Sequence, residues 1–309
     1  MTDHAPLRLG TRASPLAMAQ AHLTVAALTA AHPGLAIEIV PMTATGDRIL
    51  DRALAEVGGK ALWTRELDAA LGEYIIDFAV HSMKDVETLR PDQFYLAAML
   101  PRADVRDKLI VRSDWSAASI AGLPHGARVG TSSPRRAAQL KSIRPDLQTP
   151  LLRGNVQTRL GRVADGTVDA TLLAAAGLDR LGMGDVGFAI AIETLLPAAS
   201  QGAVGIECRA DDSRVRTLLA AIDNAPTRVA VEAERALLAA LGGDCRSPVA
   251  AHASRDAGGN WVLRAILFAE DGSVQIADQT ELTPGAPAKL AHTLLANAPS
   301  AIAALFSGG

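Results

Sequence analysis

The spacing of apolar and polar positions changes several times along the chain. Leu7 to Gly10 and Leu35 to Val40 are short apolar runs that predict strands. Ile75 to Val80 is nearly continuous, as expected of a strand covered on both faces. Ser14 and Pro15 fit a helix N-cap and first helical residue, opening a helix to about Ala31. Trp63, Leu67, Ala70 and Leu71 fall on one helical face. After Leu109–Val111 the alternation restarts. A short strand over Arg128–Gly130 precedes a helix opened by Ser133–Pro134. Strands follow near Leu151, Thr171 and Ile190, with helices over Val156–Ala164 and Ala175–Leu181. Such alternation predicts α/β layers. From Asp223 the order differs. A long amphipathic helix over Thr227–Leu241 precedes strands at Pro248–Ala253, Trp261–Phe268 and Val274–Leu282. A final helix is expected from about Ala286 to Leu305, which makes this a small α+β domain.

Two stretches echo one another. Gly10-Thr11-Arg12-Ala13-Ser14-Pro15 resembles Gly130-Thr131-Ser132-Ser133-Pro134: a strand end, a Gly-Thr turn, then Ser-Pro at a helix start. Either copy alone reads as plain helix capping. Two copies, each beside arginine (Arg12; Arg135 and Arg136), point to paired anion sites, because helix N-termini offer free N–H groups and a positive dipole end.

Composition narrows the function classes. A length of 309 residues suggests about two domains, or three small ones. Aromatics are only 3% of the chain, so the core must be closely packed aliphatic. A net charge of -3 argues against a nucleic-acid binder driven by global charge. Cys208 and Cys245 lie far apart, too few for a disulfide framework or a zinc site, and no metal is expected. The N-terminus has no apolar signal core and no run is long enough to span a bilayer, so the cytoplasm is the expected compartment.

Three features carry candidate chemistry. Val80-His81-Ser82-Met83-Lys84-Asp85 follows a buried strand, where polar residues of open α/β sheets meet the ligand crevice. A solvated turn with a weak ion pair is the competing reading. Here Lys84 could tune the acid Asp85; His81 is expected to make a structural hydrogen bond. Second, Arg153 leaves an apolar strand into a Gly turn, with Arg159 and Arg180 beyond. Together with Arg12, Arg135 and Arg136 they suggest a ligand with several carboxylates, which the planar guanidinium matches. Arg214 and Arg216 are expected to be solvated. Third, Cys245 sits in the loop Gly242-Gly243-Asp244-Cys245 beside Arg246, which suggests an accessible thiol, whereas Cys208 in an apolar strand reads as a small buried hydrophobe.

At this point the motifs resemble those of the porphobilinogen deaminase family. They are Gly10 to Ala17, Thr45-Gly46-Asp47, Gly59-Lys60 with Glu66, His81 to Asp85, Pro101-Arg102 with Arg106-Asp107, and Gly130 to Arg136. Leu152 to Val156 with Thr158-Arg159-Leu160, Ala176-Gly177-Leu178 with Arg180, Gln201-Gly202, and Gly242-Gly243 with Cys245 complete the set in family order. Four positions depart from the usual pattern: Trp63 for Phe, Arg65 for Lys, Glu87 for a frequent Pro and Asp244 for Gly.

The resemblance implies two α/β domains similar to periplasmic-binding-protein folds facing across a cleft, plus the small α+β C-terminal domain. The expected bounds are 1–101 with 201–221, then 105–197, then 225–309. It implies a transferase of haem biosynthesis that condenses four porphobilinogen molecules head to tail with loss of ammonia and releases hydroxymethylbilane by hydrolysis. It implies a dipyrromethane cofactor joined through a thioether to Cys245, with Lys84, Asp47, Thr131, Ser132, Arg135 and Arg136 around it. Asp85 becomes the catalytic acid and base, and Arg12, Ser14, Arg153, Arg159, Arg180 and Gln201 bind substrate. A monomer is implied, with no nucleic-acid or membrane partner. A solute-binding protein would share a two-lobed fold but not explain Cys245 or the C-terminal domain. An anion-sensing transcriptional regulator would need a helix-turn-helix that is not visible.

Overall fold

The structure, a computed structural model, describes residues 5–43, 63–244 and 246–306. These form two compact units. The first gathers 5–43, 63–103 and 202–229, and the second 104–201, 230–244 and 246–306.

The first unit is a five-stranded sheet in the order β2-β1-β3-β9-β4. Its strands are β1 (Leu7–Arg12), β2 (Ile37–Met42), β3 (Phe78–Ser82), β4 (Phe94–Met99) and β9 (Val204–Arg209). β1 runs parallel to β2 and β3, whereas β9 is antiparallel to both β3 and β4. Alternate residues of β3 face opposite sides. Phe78 and Val80 join Leu9, Leu28 and Leu219 in one apolar cluster, while Ala79 joins Leu67, Leu71 and Ile76 in another. The first cluster is closed by α1 (Pro15–Ala31) and α6 (Ser213–Ala220), the second by α2 (Arg65–Gly72). Two-sided burial is why β3 is apolar throughout. Each fully buried Leu or Phe contributes about 1.5–3 kcal/mol.

The second unit holds two sheets. One has the order β6-β7-β5-β8, with β5 (Asp107–Val111), β6 (Val129–Gly130), β7 (Ala170–Ala174) and β8 (Phe188–Ala189). Helices α3 (Pro134–Ile143), α4 (Val156–Ala164) and α5 (Ala175–Arg180) accompany it. The other is an antiparallel meander of β10 (Val249–Arg255), β11 (Trp261–Phe268) and β12 (Gln275–Glu281). Its core joins Leu237 and Leu241 of α7 (Ala225–Leu241) to Leu290 and Leu294 of α8 (Ala286–Ala296). Ala138, Leu196, Ala250 and Phe268 bury against one another between the two sheets.

The α/β character and the small C-terminal α+β sheet agree with the sequence reading, with local corrections. The strand expected from Ile75 begins at Phe78, because Tyr74 takes a left-handed φ of 58° and Asp77 is tied to Arg8. Trp63 lies in a turn before α2. Leu151 makes only an isolated bridge to Thr131 and is half exposed. The final helix is divided: α8 ends at Ala296, and α9 (Ser300–Ala303) restarts after Pro299, whose ring disfavours helix in the residue before it.

Candidate functional site

In the first unit the site begins where β3 ends. The chain makes one turn of 3₁₀ helix over Met83–Asp85. Met83 is buried, and its N–H donates to the Ala203 carbonyl at 3.1 Å. The close approach needs glycine at 205, since a Cβ there would lie 2.1 Å from the Met83 sulfur. Before the turn, Gln20 Nε2 donates to Ser82 Oγ at 2.7 Å and the Ser82 hydroxyl donates back at 3.1 Å. This ties the turn to α1.

Around it opens a small cavity of about 50 Å³, continuous with solvent. Its lining includes Arg12, Ser14, Gln20, Ser82 and Asp85, with the Trp63 ring beside them. Arg12 ends β1, and its guanidinium lies 4.2 Å from the Trp63 ring centroid, close enough for a cation–π contact. Ser14 caps α1, accepting from the Ala17 N–H at 3.3 Å. The structure therefore brings Arg12, Ser14 and Asp85 together. Lys84 shares the turn with Asp85 but does not line the cavity. His81 is buried with its Nε2 3.4 Å from Glu207 but makes no hydrogen bond there, so the hydrogen bond expected of it is not formed at that nitrogen among the described residues. Burial pushes the Glu207 carboxyl up, but the nearby His81 ring and the hydrogen bonds from Arg90 bring it down to about 2.

In the second unit Thr131 to Arg136 leads from β6 into α3, and Ser133 caps α3 by accepting from the Arg136 N–H at 3.4 Å. Both Ser-Pro copies are thus real N-caps. Arg135 and Arg136 are buried and converge on Asp107, which is fully buried, at 2.7 and 2.6 Å. Their other terminal nitrogens donate to the carbonyls of Leu196 and Leu172. Gln201 Nε2 donates to the same carboxylate at 3.0 Å and to the Val105 carbonyl at 2.7 Å. Burial pushes the Asp107 carboxyl up, yet the two guanidiniums hold it well below the usual carboxylate range. Two cations around one anion leave an excess positive charge. The Nε atoms of Arg135 and Arg136 are buried with no hydrogen-bond partner among the described residues.

Close by in sequence, Arg159 donates to the Gly154 carbonyl at 2.9 Å and to Ser132 Oγ at 3.4 Å. Thr131 N–H is held by the Pro150 carbonyl. Arg153 and Arg180 are half-buried. Burial lowers Arg180, opposed by Asp179. Asp47, Lys60 and Cys245 lie outside the described residues. Flanking Cys245, Arg246 pairs with Asp244 at 2.5 Å, so the residue that departs from the family pattern holds a neighbouring cation.

Sequence reasoning missed Asp107, Arg90 and Glu207 as organising charges. Glu207 did leave a signal: a carboxylate inside Val204-Gly205-Ile206-Glu207-Cys208 needs a buried partner. Among the described residues no group of three His, Cys, Asp or Glu side chains is placed to hold a metal ion, and no helix is long and apolar enough to cross a membrane.

The chain matches a family model described as porphobilinogen deaminase, dipyromethane cofactor binding domain, over residues 7–217, and one for the porphobilinogen deaminase C-terminal domain over 229–297. It is 66% identical to a porphobilinogen deaminase of Sphingopyxis alaskensis, covering 99% of this chain and 98% of that one. A Paracoccus denitrificans porphobilinogen deaminase is 50% identical over 88% of this chain and 87% of its own. A chloroplastic one from rice (Oryza sativa) is 48% identical over 86% and 75%. Among solved structures, a putative periplasmic sulfonate-binding protein of Methylobacillus flagellatus aligns at 20% identity and a TM-score of 0.40, covering 72% of this chain and 67% of that one. Likeness at that level says nothing about ligand.

Proposed function

The chain belongs to the porphobilinogen deaminase family, and from that premise we propose how its residues divide the work of making hydroxymethylbilane. The enzyme is a transferase of tetrapyrrole biosynthesis that condenses porphobilinogen with loss of ammonia, and it carries a dipyrromethane cofactor-binding domain. The observation that carries our reading is the shared cavity of Arg12 and Asp85.

Arg12 takes a carboxylate of the incoming porphobilinogen. Its planar fork suits that group, and stacking on Trp63 limits its freedom. Ser14 and the first N–H groups of α1 add hydrogen bonds. Asp85 gives its proton to the aminomethyl nitrogen as the C–N bond breaks and ammonia leaves. The resulting carboxylate stabilises the cationic pyrrole by charge. Once the new C–C bond forms, Asp85 takes up the α-proton lost by the attacking ring and is ready for the next cycle. Arg153, Arg159 and Arg180 bind further substrate carboxylates, whereas Gln201, expected to join them, spends both amide N–H groups on Asp107 and the Val105 carbonyl and so braces the arginine cluster.

When bound, the dipyrromethane supplies the nucleophilic pyrrole carbon that primes condensation. The residues fit such an anionic group: the Arg135–Asp107–Arg136 cluster has a positive excess and two buried N–H groups without partners among the described residues. In our reading Thr131, Ser132, Arg135, Arg136, Lys84 and Asp47 hold it, and Cys245 anchors it through a thioether. Support for Cys245 comes from the other thiol. Cys208 is buried, and burial pushes it up to about 12, which leaves almost no thiolate to react. Intact-protein mass tests the anchor. Cys245→Ala should be folded, lack the two-pyrrole excess and not turn over, while Cys208→Ala keeps the excess. A primer found on Cys208 overturns the assignment. The same reading makes the enzyme a cytoplasmic monomer, which sedimentation of the purified protein checks for oligomeric state.

A further inference from the structure

Behind the cavity of the first unit lies a group of charged side chains to which neither condensation nor carboxylate binding assigns a part. Arg90 is largely buried between the 3₁₀ turn and β4, its side chain 12% exposed. Its Nε and one terminal nitrogen donate to the two oxygens of Glu207 at 2.9 and 2.8 Å. That terminal nitrogen also meets Asp68 at 2.5 Å. The other donates to Glu87 at 2.7 Å, and meets Asp68 at 3.2 Å and Thr64 Oγ1 at 3.3 Å. The Thr64 hydroxyl donates in turn to Glu87 at 3.0 Å. Carboxylates from α2, from the segment after the turn and from β9 thus meet on one guanidinium.

Each of these segments continues into the cavity wall. Thr64 follows Trp63, whose ring carries Arg12. Glu87 stands two residues after Asp85. His81, facing Glu207, lines the cavity. Neutralising a buried guanidinium needs only the bidentate contact with Glu207. Glu87 adds something different, because it holds Arg90 and Thr64 at once and so ties the turn to the start of α2. Position 87 is also where the family resemblance leads one to expect proline. A proline fixes backbone φ through its ring; Glu87 and Arg90 replace that covalent restraint with a charged one.

We propose that Arg90 is a positioning residue, which through Glu87 and Thr64 sets the distance between Asp85 and the Trp63–Arg12 pair. Porphobilinogen held by Arg12 then presents its aminomethyl group to Asp85. The proposal rests on the roles given above to Arg12 and Asp85.

Glu87→Ala cuts the tie while leaving Arg90 two carboxylate partners. It should lower kcat/KM for ammonia release about tenfold, since small misplacement of a reacting group costs one to two decades. In a Trp115→Phe/Trp261→Phe background, where Trp63 is the remaining indole, acrylamide quenching of its fluorescence should rise about twofold. Glu87→Gln keeps an oxygen for Thr64 and Arg90 and should restore both readouts to within about threefold of the parent. Asp77→Ala is the control for stability alone. It removes an ion pair with Arg8 at the far end of β3 and should lower Tm without changing either readout. Parental turnover and quenching in Glu87→Ala, or equal losses in Asp77→Ala, overturn the proposal. Asp85→Asn, assayed alongside, separates the cases: if it turns over normally the underlying reading of Asp85 fails, and if only Glu87→Ala is normal the positioning role alone fails.

Discussion

Replacing Glu207 by Gln is a direct test of the charged group behind the cavity. Its carboxylate is 2% exposed, receives two N–H groups from Arg90, and lies 3.4 Å from His81. Folding brings this carboxyl from its ordinary 4.5 down to about 2. At ~1.36 kcal/mol per pH unit that difference is worth about 3.4 kcal/mol. The sign follows from proton binding: below 4.5 the unfolded chain takes up a proton that the folded chain still refuses. The stabilisation is therefore complete well above the ordinary value and drains away as pH falls towards about 2. Glu207→Gln never has it. In urea unfolding at pH 7 the first unit of the variant should be less stable by about 3 kcal/mol with an unchanged m value. By ~pH 3 the gap should narrow by about 2 kcal/mol. A gap below about 1 kcal/mol at neutral pH, or one that does not narrow on acidification, refutes the reasoning.

Other outcomes follow from the same geometry. Asp85→Asn, purified with its primer, should lose about two to four decades in ammonia release, with Asp85→Glu retaining more; near-normal elongation by mass would leave Asp85 a structural partner of the turn. Arg12→Leu should raise KM for porphobilinogen about ten- to hundredfold, whereas exposed Arg214→Leu should not, and equal losses would undercut the cavity as the binding site. Asp107→Ala strands two buried guanidiniums, which costs about 3–5 kcal/mol and should lower Tm by about 6–20 °C; an unshifted transition would mean the cluster relaxes into solvent. Gly205→Ala forces a Cβ to 2.1 Å from the Met83 sulfur, so it should lose about 1–3 kcal/mol together with turnover, and loss of stability alone would separate Met83 from the positioning of Asp85.

Much of the fold was legible because local signals agreed with burial. The Ser14–Pro15 cap fixed the start of α1, and Trp261–Phe268 alternates cleanly enough to define β11 to the residue. Ile75 misled because an apolar residue can sit exposed beside a turn; it is 47% exposed. Leu151 misled for the same reason, an apolar side chain in a chain segment with a single bridge. At the site, motifs identified Arg12, Ser14 and Asp85, which do share a cavity. The burial of Arg135 and Arg136 was not legible: a strand-to-helix motif gives no sign that Asp107, 28 and 29 positions earlier, will draw both guanidiniums inward. Arg90 has one local partner, Glu87 three residues earlier, which alone reads as an ordinary i,i+3 ion pair; its other carboxylates, Asp68 and Glu207, come from distant stretches that only the tertiary fold assembles.

The place of β9 in the first sheet also sets a timetable for the chain as it is made. Phe78 of β3 pairs with Cys208, and β4 pairs with the same strand. The partner that both need is therefore synthesised after the whole of 104–201. At about 5–20 residues per second the delay is on the order of ten seconds. β3 and β4 are each antiparallel to β9, so they are parallel to one another and cannot close as a hairpin in the finished sheet. Their nearness in sequence nevertheless favours that wrong hairpin early, when both have unpaired edges. Slow ribosomal passage through 104–201 should therefore lower the yield of active enzyme more than equal slowing after Arg209, once the missing strand has emerged.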